Sequence, residues 1–211
     1  MKYFEKEKLD IIKNIVLKLK QPNILELGVQ KGNSTKMFLD ICDQNDGYLT
    51  SIDIKDCSNV SNNNRWKFIL SSDSNFEYIE KQLDKKQFDI LFIDSYHEPE
   101  HVKKVFYYYF GLIKKGGLIF IDDVLWLPYV NGGVKDNDFI ERINRLTFEK
   151  LLEIFNSNIE NLTLDINFSG SGLAILEKIG NNLNYEKKIK NRLFSLKNII
   201  KKYIYSPKPK N

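Results

Sequence analysis

The stretch Asn23-Ile24-Leu25-Glu26-Leu27-Gly28-Val29-Gln30-Lys31-Gly32-Asn33-Ser34-Thr35 constrains this chain more than any other part of it. An apolar run with an acid at its centre leads into Gly28 and Gly32, and Met37, Phe38 and Ile41 then recur at helical spacing, so the pattern predicts strand, tight turn, helix. Glycines let a backbone approach a ligand that side chains would exclude, and the first N–H groups of the following helix favour an anionic group. α/β proteins bind nucleotides in this way, and the stretch by itself leaves the ligand's identity open.

Later segments continue the alternation. Before the first strand, Leu9, Ile12, Val16 and Leu19 recur at helical spacing up to Pro22, a helix read as core packing. Tyr48 to Ile54 predicts a second strand carrying Asp53 at its end, roughly 20 residues past the glycines, the separation at which an acid reaches ribose hydroxyls. A loop-capping role for Asp53 is the equal alternative. Trp66 to Leu70 reads as a strand followed by Ser71-Ser72-Asp73-Ser74, where Asp73 is also a possible N-cap for a helix over Asn75 to Leu83. Phe88 to Ile93 is an apolar run interrupted only by Asp89, as expected of a parallel strand covered on both faces, and it ends in Asp94-Ser95-Tyr96-His97.

A helix over Pro99 to Ile113 is expected to stop at Gly116-Gly117, and Leu118 to Ile121 forms the next strand, finishing in Asp122-Asp123. Trp126 to Gly133 is an aromatic, glycine-containing segment, either a substrate lid or a packed surface loop. A helix over Phe139 to Phe155 then precedes strands at Leu162 to Phe168 and Gly172 to Leu176, whose short Gly-containing link makes an antiparallel hairpin.

With 211 residues, 42% of them hydrophobic, the chain builds one substantial core, and a net charge of +4 does not demand a nucleic-acid partner. Cys42 and Cys57 are too few for a disulfide framework, which fits a reducing compartment, and no segment reads as a signal peptide or a membrane span. A soluble, cytoplasmic protein is expected. Base concentrates at the end, where Ile189, Leu193, Leu196, Ile200 and Tyr203 fall at helical spacing among lysines. Such a helix lies on an anionic membrane surface, pairs with a partner such as a second copy, or packs on the domain. The division is therefore a domain over 1–180 and a basic amphipathic helix and tail over 181–211.

Asp94, Asp122 and Asp123 stand at the ends of two buried strands and converge if those strands are neighbours. Close carboxylates repel, a divalent cation relieves the repulsion, and oxygen-only ligands suit Mg²⁺ or Mn²⁺. Such an ion lowers the pKa of a bound hydroxyl, and His97 then accepts its proton. His101, one turn further, faces solvent or supports the site.

Taken in order, Glu26-Leu27-Gly28 through Gly32, Asp53, Asp73, the strand ending at Asp94, and Gly116-Gly117 to Asp123 resemble the class I S-adenosylmethionine-dependent methyltransferases over about Ile24 to Leu176. Within them, Phe92-Ile93-Asp94-Ser95-Tyr96-His97 and Gly117 to Asp123 are similar to a metal-dependent O-methyltransferase group that includes macrolide and other sugar O-methyltransferases. Ser95-Tyr96 departs from the Gly followed by a polar or acidic residue often found there. The resemblance implies an α/β fold with a Rossmann-like seven-stranded, mostly parallel sheet, helices on both faces and an antiparallel C-terminal strand pair. It implies that Glu26, Gly28 and Gly32, with Ser34, hold the methionine end of S-adenosylmethionine, Asp53 the ribose hydroxyls, and Ser72 and Asp73 the adenine edge. Asp94, Asp122 and Asp123 would hold Mg²⁺ or Mn²⁺, Asp94 also serving the chemistry, and His97 would be the base.

Trp126 and Tyr129 are placed to stack on the acceptor. A nicotinamide-dependent oxidoreductase would show G-x-G-x-x-G, whereas the spacing here is Gly28-x-x-x-Gly32. The alternatives are a nucleic-acid methyltransferase, whose Asn/Asp-Pro-Pro-aromatic motif is absent at Asp94 to His97, and a non-catalytic binding protein of the same fold. The reading is metal-assisted O-methylation of a small hydroxylated acceptor, a sugar or glycan unit, with no nucleic-acid partner.

Overall fold

The apolar runs become seven strands of one sheet: β1 (Asn23–Leu27), β2 (Tyr48–Asp53), β3 (Trp66–Leu70), β4 (Phe88–Ile93), β5 (Ile113–Asp122), β6 (Asp165–Asn167) and β7 (Leu173–Glu177). This computed structural model describes residues 2–84, 87–130, 137–189 and 196–205. The strand order is β3-β2-β1-β4-β5-β7-β6. Pairs from β3 to β5 are parallel, and β7 runs antiparallel to both β5 and β6. The expected Rossmann-like α/β architecture is therefore present. Its order reverses between β1 and β4, and open α/β sheets bind ligands outside the carboxyl ends of the strands at such a switch.

The helices are α1 (Lys2–Val16), α2 (Asn33–Asn45), α3 (Phe76–Gln82), α4 (Pro99–Phe110), α5 (Leu127–Val130), α6 (Asp138–Asn156) and α7 (Leu196–Tyr205). Pleating divides the core. Leu25, Leu27, Leu91, Ile93, Ile119 and Ile121 face α3, α4 and α6, whereas Ile24, Ile90, Phe92 and Phe120 face α1 and α2. Glu26, Asp94 and Asp122 continue the second set, so the pleat directs all three acids towards the α1 side. On α1, Ile12 and Val16 are buried against that face, and Lys8 lies one turn further along the same stripe.

Several element boundaries differ from the sequence expectation: the helix expected to reach Ile113 ends at Phe110, and the strand expected over Leu162 to Phe168 spans Asp165–Asn167. β5 begins at Ile113 rather than Leu118, because Gly116 and Gly117 form an irregularity inside the strand instead of a stop. Gly116 takes φ +79°, and its N–H donates to the Lys178 carbonyl at 2.7 Å. Residues 181–189 also lie against the body: Asn184 N–H donates to Asn158 Oδ1, and Glu186 pairs with Lys103 at 2.6 Å. Beyond them, α7 leaves Leu196 78%, Ile200 57% and Ile204 66% exposed, so these side chains do not pack on the domain. Among the described residues, no helix is long and apolar enough to cross a membrane.

Gly28 closes β1 at φ +96°, and a Cβ there would lie 2.1 Å from the Asp94 carbonyl oxygen, which is backbone and has no easy retreat. Hydrogen bonds from Gly28 N–H to the Ile52 carbonyl and from Asp94 N–H to the Leu27 carbonyl, each 2.9 Å, fix both chains at that crossing. Gly28→Ala is therefore expected to lower unfolding free energy by at least about 2 kcal/mol, combining left-handed strain with the clash. Urea denaturation measures this, and a loss well under 1 kcal/mol would show that the crossing has slack.

Candidate active site

The turn after β1 is shaped by hydrogen bonds to carboxylates. Asp53 Oδ2 accepts from Val29 N–H at 2.8 Å and Gln30 N–H at 3.0 Å, while Oδ1 accepts from Lys55 N–H at 2.8 Å. Against the cost of partial burial, these amides hold the Asp53 carboxyl below its ordinary value. Gln30 sits at φ +49°, and Gly32, at φ +75°, is the N-cap of α2 without a side-chain cap. A Cβ on Gly32 would lie 2.2 Å from Val60 Cγ1, so this glycine is needed for chain packing.

Beneath the turn, Glu26 is wholly buried. Its Oε1 accepts from Ser34 Oγ at 2.6 Å, and its Oε2 from Thr35 Oγ1 at 2.8 Å and Ser51 Oγ at 2.6 Å. Among the described residues, no ammonium or guanidinium forms an ion pair with it. Burial outweighs the hydrogen bonds of the three hydroxyls and pushes the Glu26 carboxyl up from 4.5 to about 7. Glu26 thus pins β1, β2 and α2 together under the turn.

At the neighbouring strand ends, Asp94, Asp122 and Asp123 do converge, because β4 and β5 are adjacent and parallel. Lys8 of α1 joins them. Its ammonium, with the side chain 7% exposed, donates to Asp122 Oδ1, to Asp123 Oδ1 at 3.2 Å and to Ser171 Oγ at 2.8 Å. Ser171 Oγ in turn donates to Asp123 Oδ1, and Asp123 N–H donates to Asp122 Oδ1 at 2.8 Å. Asp123 holds φ +57°, uncommon for a residue with a side chain, and strained backbone of this kind gathers at functional sites. Loss of solvent works against a charged Lys8, but Asp122 and Asp123 more than offset it and raise its pKa.

His97 lies across from these acids, with Nε2 3.5 Å from Asp94 Oδ1 and 3.7 Å from Asp123 Oδ2. Its backbone is set by the start of α4, where Pro99 takes the first turn and Glu98 accepts from His101 N–H, and by Thr147 Oγ1, which donates to the His97 carbonyl at 2.9 Å. The three carboxyls respond differently. Loss of solvent and, at 36% side-chain exposure more tellingly, the charges of Asp122 and Asp123 push Asp94 well up. Burial and Asp123 push Asp122 up, with Lys8 opposing. Burial works upward on Asp123 too, yet Lys8, His97 and the Ser171 hydroxyl bring it below its ordinary value.

One cleft joins the turn to this cluster, walled by Lys8, Leu9 and Ile12 of α1 and including Gly28, Lys31 and Ser34 on one side and Asp94, His97 and Asp122 on the other. Asp73 lies off to the side, its Oδ2 accepting from Ser95 Oγ at 2.6 Å and paired with His101 Nε2 at 3.0 Å, while its carbonyl accepts from Tyr109 Oη at 2.7 Å. Ser72 Oγ shares a hydrogen bond with Ser74 Oγ. Trp126 packs on Phe148 of α6, ring centroids 5.4 Å apart; the Tyr129 side chain and residues 131–136 of the expected lid lie outside the described residues.

The expectation of Mg²⁺ or Mn²⁺ on Asp94, Asp122 and Asp123 does not fit this arrangement. The oxygen donors are of the right kind, but the Lys8 ammonium stands among them. Among the described residues, no group of three or more His, Cys, Asp or Glu is arranged to hold a metal ion. Sequence reasoning missed Lys8, Ser171 and the Ser95-Asp73-His101 bonds. Lys8 did carry a signal, since it precedes Ile12 and Val16 at four-residue spacing on the buried stripe.

Known proteins share this arrangement of fold. Residues 25–124 match the model of a methyltransferase domain family. A Staphylococcus aureus structure proposed as a caffeoyl-CoA O-methyltransferase is similar at 26% identity and TM-score 0.63, over 81% of this chain and 82% of that one. The MycE methyltransferase of the mycinamycin biosynthetic pathway, solved with Mg, SAH and mycinamycin VI, is similar at 26% identity and TM-score 0.57 over 77% of this chain. This chain spans 46% of MycE. A Clostridium thermocellum structure proposed as an rRNA methylase, at 17% identity and TM-score 0.61, covering 82% of this chain and 97% of that one, shares the fold. No curated protein matches the chain in sequence.

Glu26 yields a pH prediction. Its folded pKa, about 7, lies above the ordinary 4.5, so the stability it contributes is complete below pH 4.5 and is lost as pH rises through 7. The change amounts to about 3 kcal/mol. Relative to Glu26→Gln, the wild type is therefore expected to be more stable at pH 5 than at pH 8 by an increment of that order, measured by urea denaturation at both values. An equal gap at the two pH values would mean that the buried carboxyl ionises without penalty.

Proposed function

We propose that this chain is a class I S-adenosylmethionine-dependent methyltransferase that methylates a hydroxyl of a small acceptor, a sugar or glycan unit; the match of residues 25–124 to a methyltransferase domain model and the likeness to the Staphylococcus aureus structure support the reading. The observation that carries the reading is His97, at the cleft that begins at the glycine turn and within 3.7 Å of two carboxylates. Bound S-adenosylmethionine supplies an electrophilic methyl carbon on a positively charged sulfur. Gly28 lines the cleft that would hold it, and the uncapped first turn of α2 with Lys31 suits the carboxylate of its amino-acid end.

His97 Nε2 takes the proton of the acceptor hydroxyl, and the Asp123 carboxylate stabilises the imidazolium that results. Asp123, held below its ordinary pKa, is the partner that stays ionised. The walls of the cleft do the remaining work, because good alignment of two reactants is worth about 7–11 kcal/mol. No step here runs through a divalent ion, since Lys8 fills its place.

A sugar acceptor is supported by the likeness to MycE, solved with mycinamycin VI, and by Tyr96, 66% exposed beside His97 and edge-on to His101 at 5.4 Å. Such a ring offers a flat apolar face with a polar rim. The exposed face of α7, with Lys197 and Lys201 beside Leu196 and Ile200, suits contact with a second copy or an anionic membrane surface.

Calorimetry is expected to show binding of S-adenosylmethionine and S-adenosylhomocysteine, and methyl transfer is expected on a panel of sugars. On an accepted sugar, His97→Ala should lower kcat by about 10²- to 10⁴-fold and leave cofactor affinity unchanged. A fall of less than roughly tenfold would remove His97 as the base. Removing residues 190–211 should preserve cofactor binding and abolish self-association or pelleting with anionic vesicles; unchanged sedimentation in both assays would leave α7 without a partner role.

A further inference from the structure

The ammonium of Lys8 uses all three of its protons, on Asp122, Asp123 and Ser171, and its aliphatic stem is buried against the sheet. It is held there by the helix that carries it. Ile12 and Val16, one and two turns on, are 1% and 0% exposed in the core between α1, α2 and the sheet. Mg²⁺ needs oxygen ligands at about 2.0–2.1 Å in near-octahedral order, and Mn²⁺ likewise takes carboxylate, carbonyl and water oxygens. The acids cannot meet that demand while the Lys8 ammonium is bonded to Asp122 and Asp123, and moving it out means breaking its three hydrogen bonds.

We propose that the Lys8 ammonium is the resident cation of the Asp94-Asp122-Asp123 edge and excludes a divalent ion from it. Its second effect is orientation. Lys8 and Ser171 both engage Oδ1 of Asp123, which leaves Oδ2 to face His97 at 3.7 Å. Lys8 is thus a positioning residue: it touches neither acceptor nor cofactor in this scheme, and acts by fixing the carboxylate beside the base. The orientation half rests on the reading of His97 as base, whereas the exclusion of metal does not.

The test is Mn²⁺ binding to the full chain without substrate, read from the electron paramagnetic resonance signal of free Mn²⁺. The wild type should show no saturable binding below about 1 mM. Lys8→Met removes the charge and keeps an unbranched, flexible stem one atom shorter. It should bind Mn²⁺ at least roughly tenfold more tightly than the wild type, with its unfolding temperature rising as Mn²⁺ is added. Lys8→Arg, which restores the charge, should exclude Mn²⁺ again. Wild type or Lys8→Arg binding Mn²⁺ as tightly as Lys8→Met overturns the proposal. Should Lys8→Met not fold, a wild-type dissociation constant below about 100 µM overturns it alone. If the methyl-transfer reading fails, these binding results still decide the matter. If methyl transfer is observed, wild-type activity should persist after dialysis against a chelator, and Lys8→Met should lose kcat with little change in KM for the cofactor.

Discussion

Three carboxylates at one sheet edge cannot all remain ionised without a cation among them, and the structure of this end of the molecule follows from that requirement. Two unit charges 4 Å apart interact by about 4 kcal/mol at an effective dielectric of 20. Asp122 and Asp123 are neighbours in sequence, and Asp94 is brought to them by the parallel pairing of β4 with β5. Lys8 bonds directly to the first two, whereas Asp94 has only the more distant attraction and is pushed well up. The resulting asymmetry gives the acids different parts: Asp123 is the ionised partner of His97, and Asp94 is the carboxyl that most readily holds a proton.

The same face of the sheet buries a fourth acid by a different solution. Glu26 lies in the pleat register of Asp94 and Asp122, so it too points towards α1 and α2. It meets the hydroxyls of Ser34, Thr35 and Ser51 instead of an ammonium. Hydroxyls accept as well as donate, so this pocket tolerates the neutral carboxyl, and burial drives the carboxyl that way. An ammonium only donates, so the pocket around Asp122 requires at least one charged oxygen partner. Burial on one face of one sheet therefore yields a neutral structural pin in one place and a charged cluster in another, according to the donor each acid meets.

Much of this was legible in the sequence. Apolar runs at Ile24 to Leu27, Phe88 to Ile93 and Leu118 to Ile121, interrupted only by Glu26 and Asp89, announce strands buried on both faces, and the acids at their ends announce the edge where ligands bind. The role of each polar residue was less legible, because it depends on contacts between segments distant in sequence. Gly28 and Gly32 read as room for a ligand, yet each also makes room for other parts of the chain, Asp94 and Val60. Asp53 read as a ribose partner or loop cap, and in this structure it bonds the amides of Val29, Gln30 and Lys55. Lys8 escaped because a lysine in an amphipathic helix reads as solvated. Only packing α1 with Ile12 and Val16 inward places it over the strand ends, 114 residues before Asp122.

That placement links the two halves of the site through one helix. Leu9 and Ile12 wall the cleft beside the glycine turn, and Lys8, in the same two turns of α1, supplies the positive charge to the acids beside His97. A displacement of α1 that widened the cleft would also draw the ammonium away from Asp122 and Asp123, restoring the repulsion it relieves. Electrostatic stabilisation is effective when charges are held in place before the reaction begins, so that none must reorganise as new charge appears. The anchoring of Ile12 and Val16 in the core supplies that rigidity. Core packing of α1 and the charge arrangement of the acidic edge are consequently one constraint: a substitution that loosens the apolar stripe acts on the surroundings of His97 through Lys8 and Asp123, without touching either.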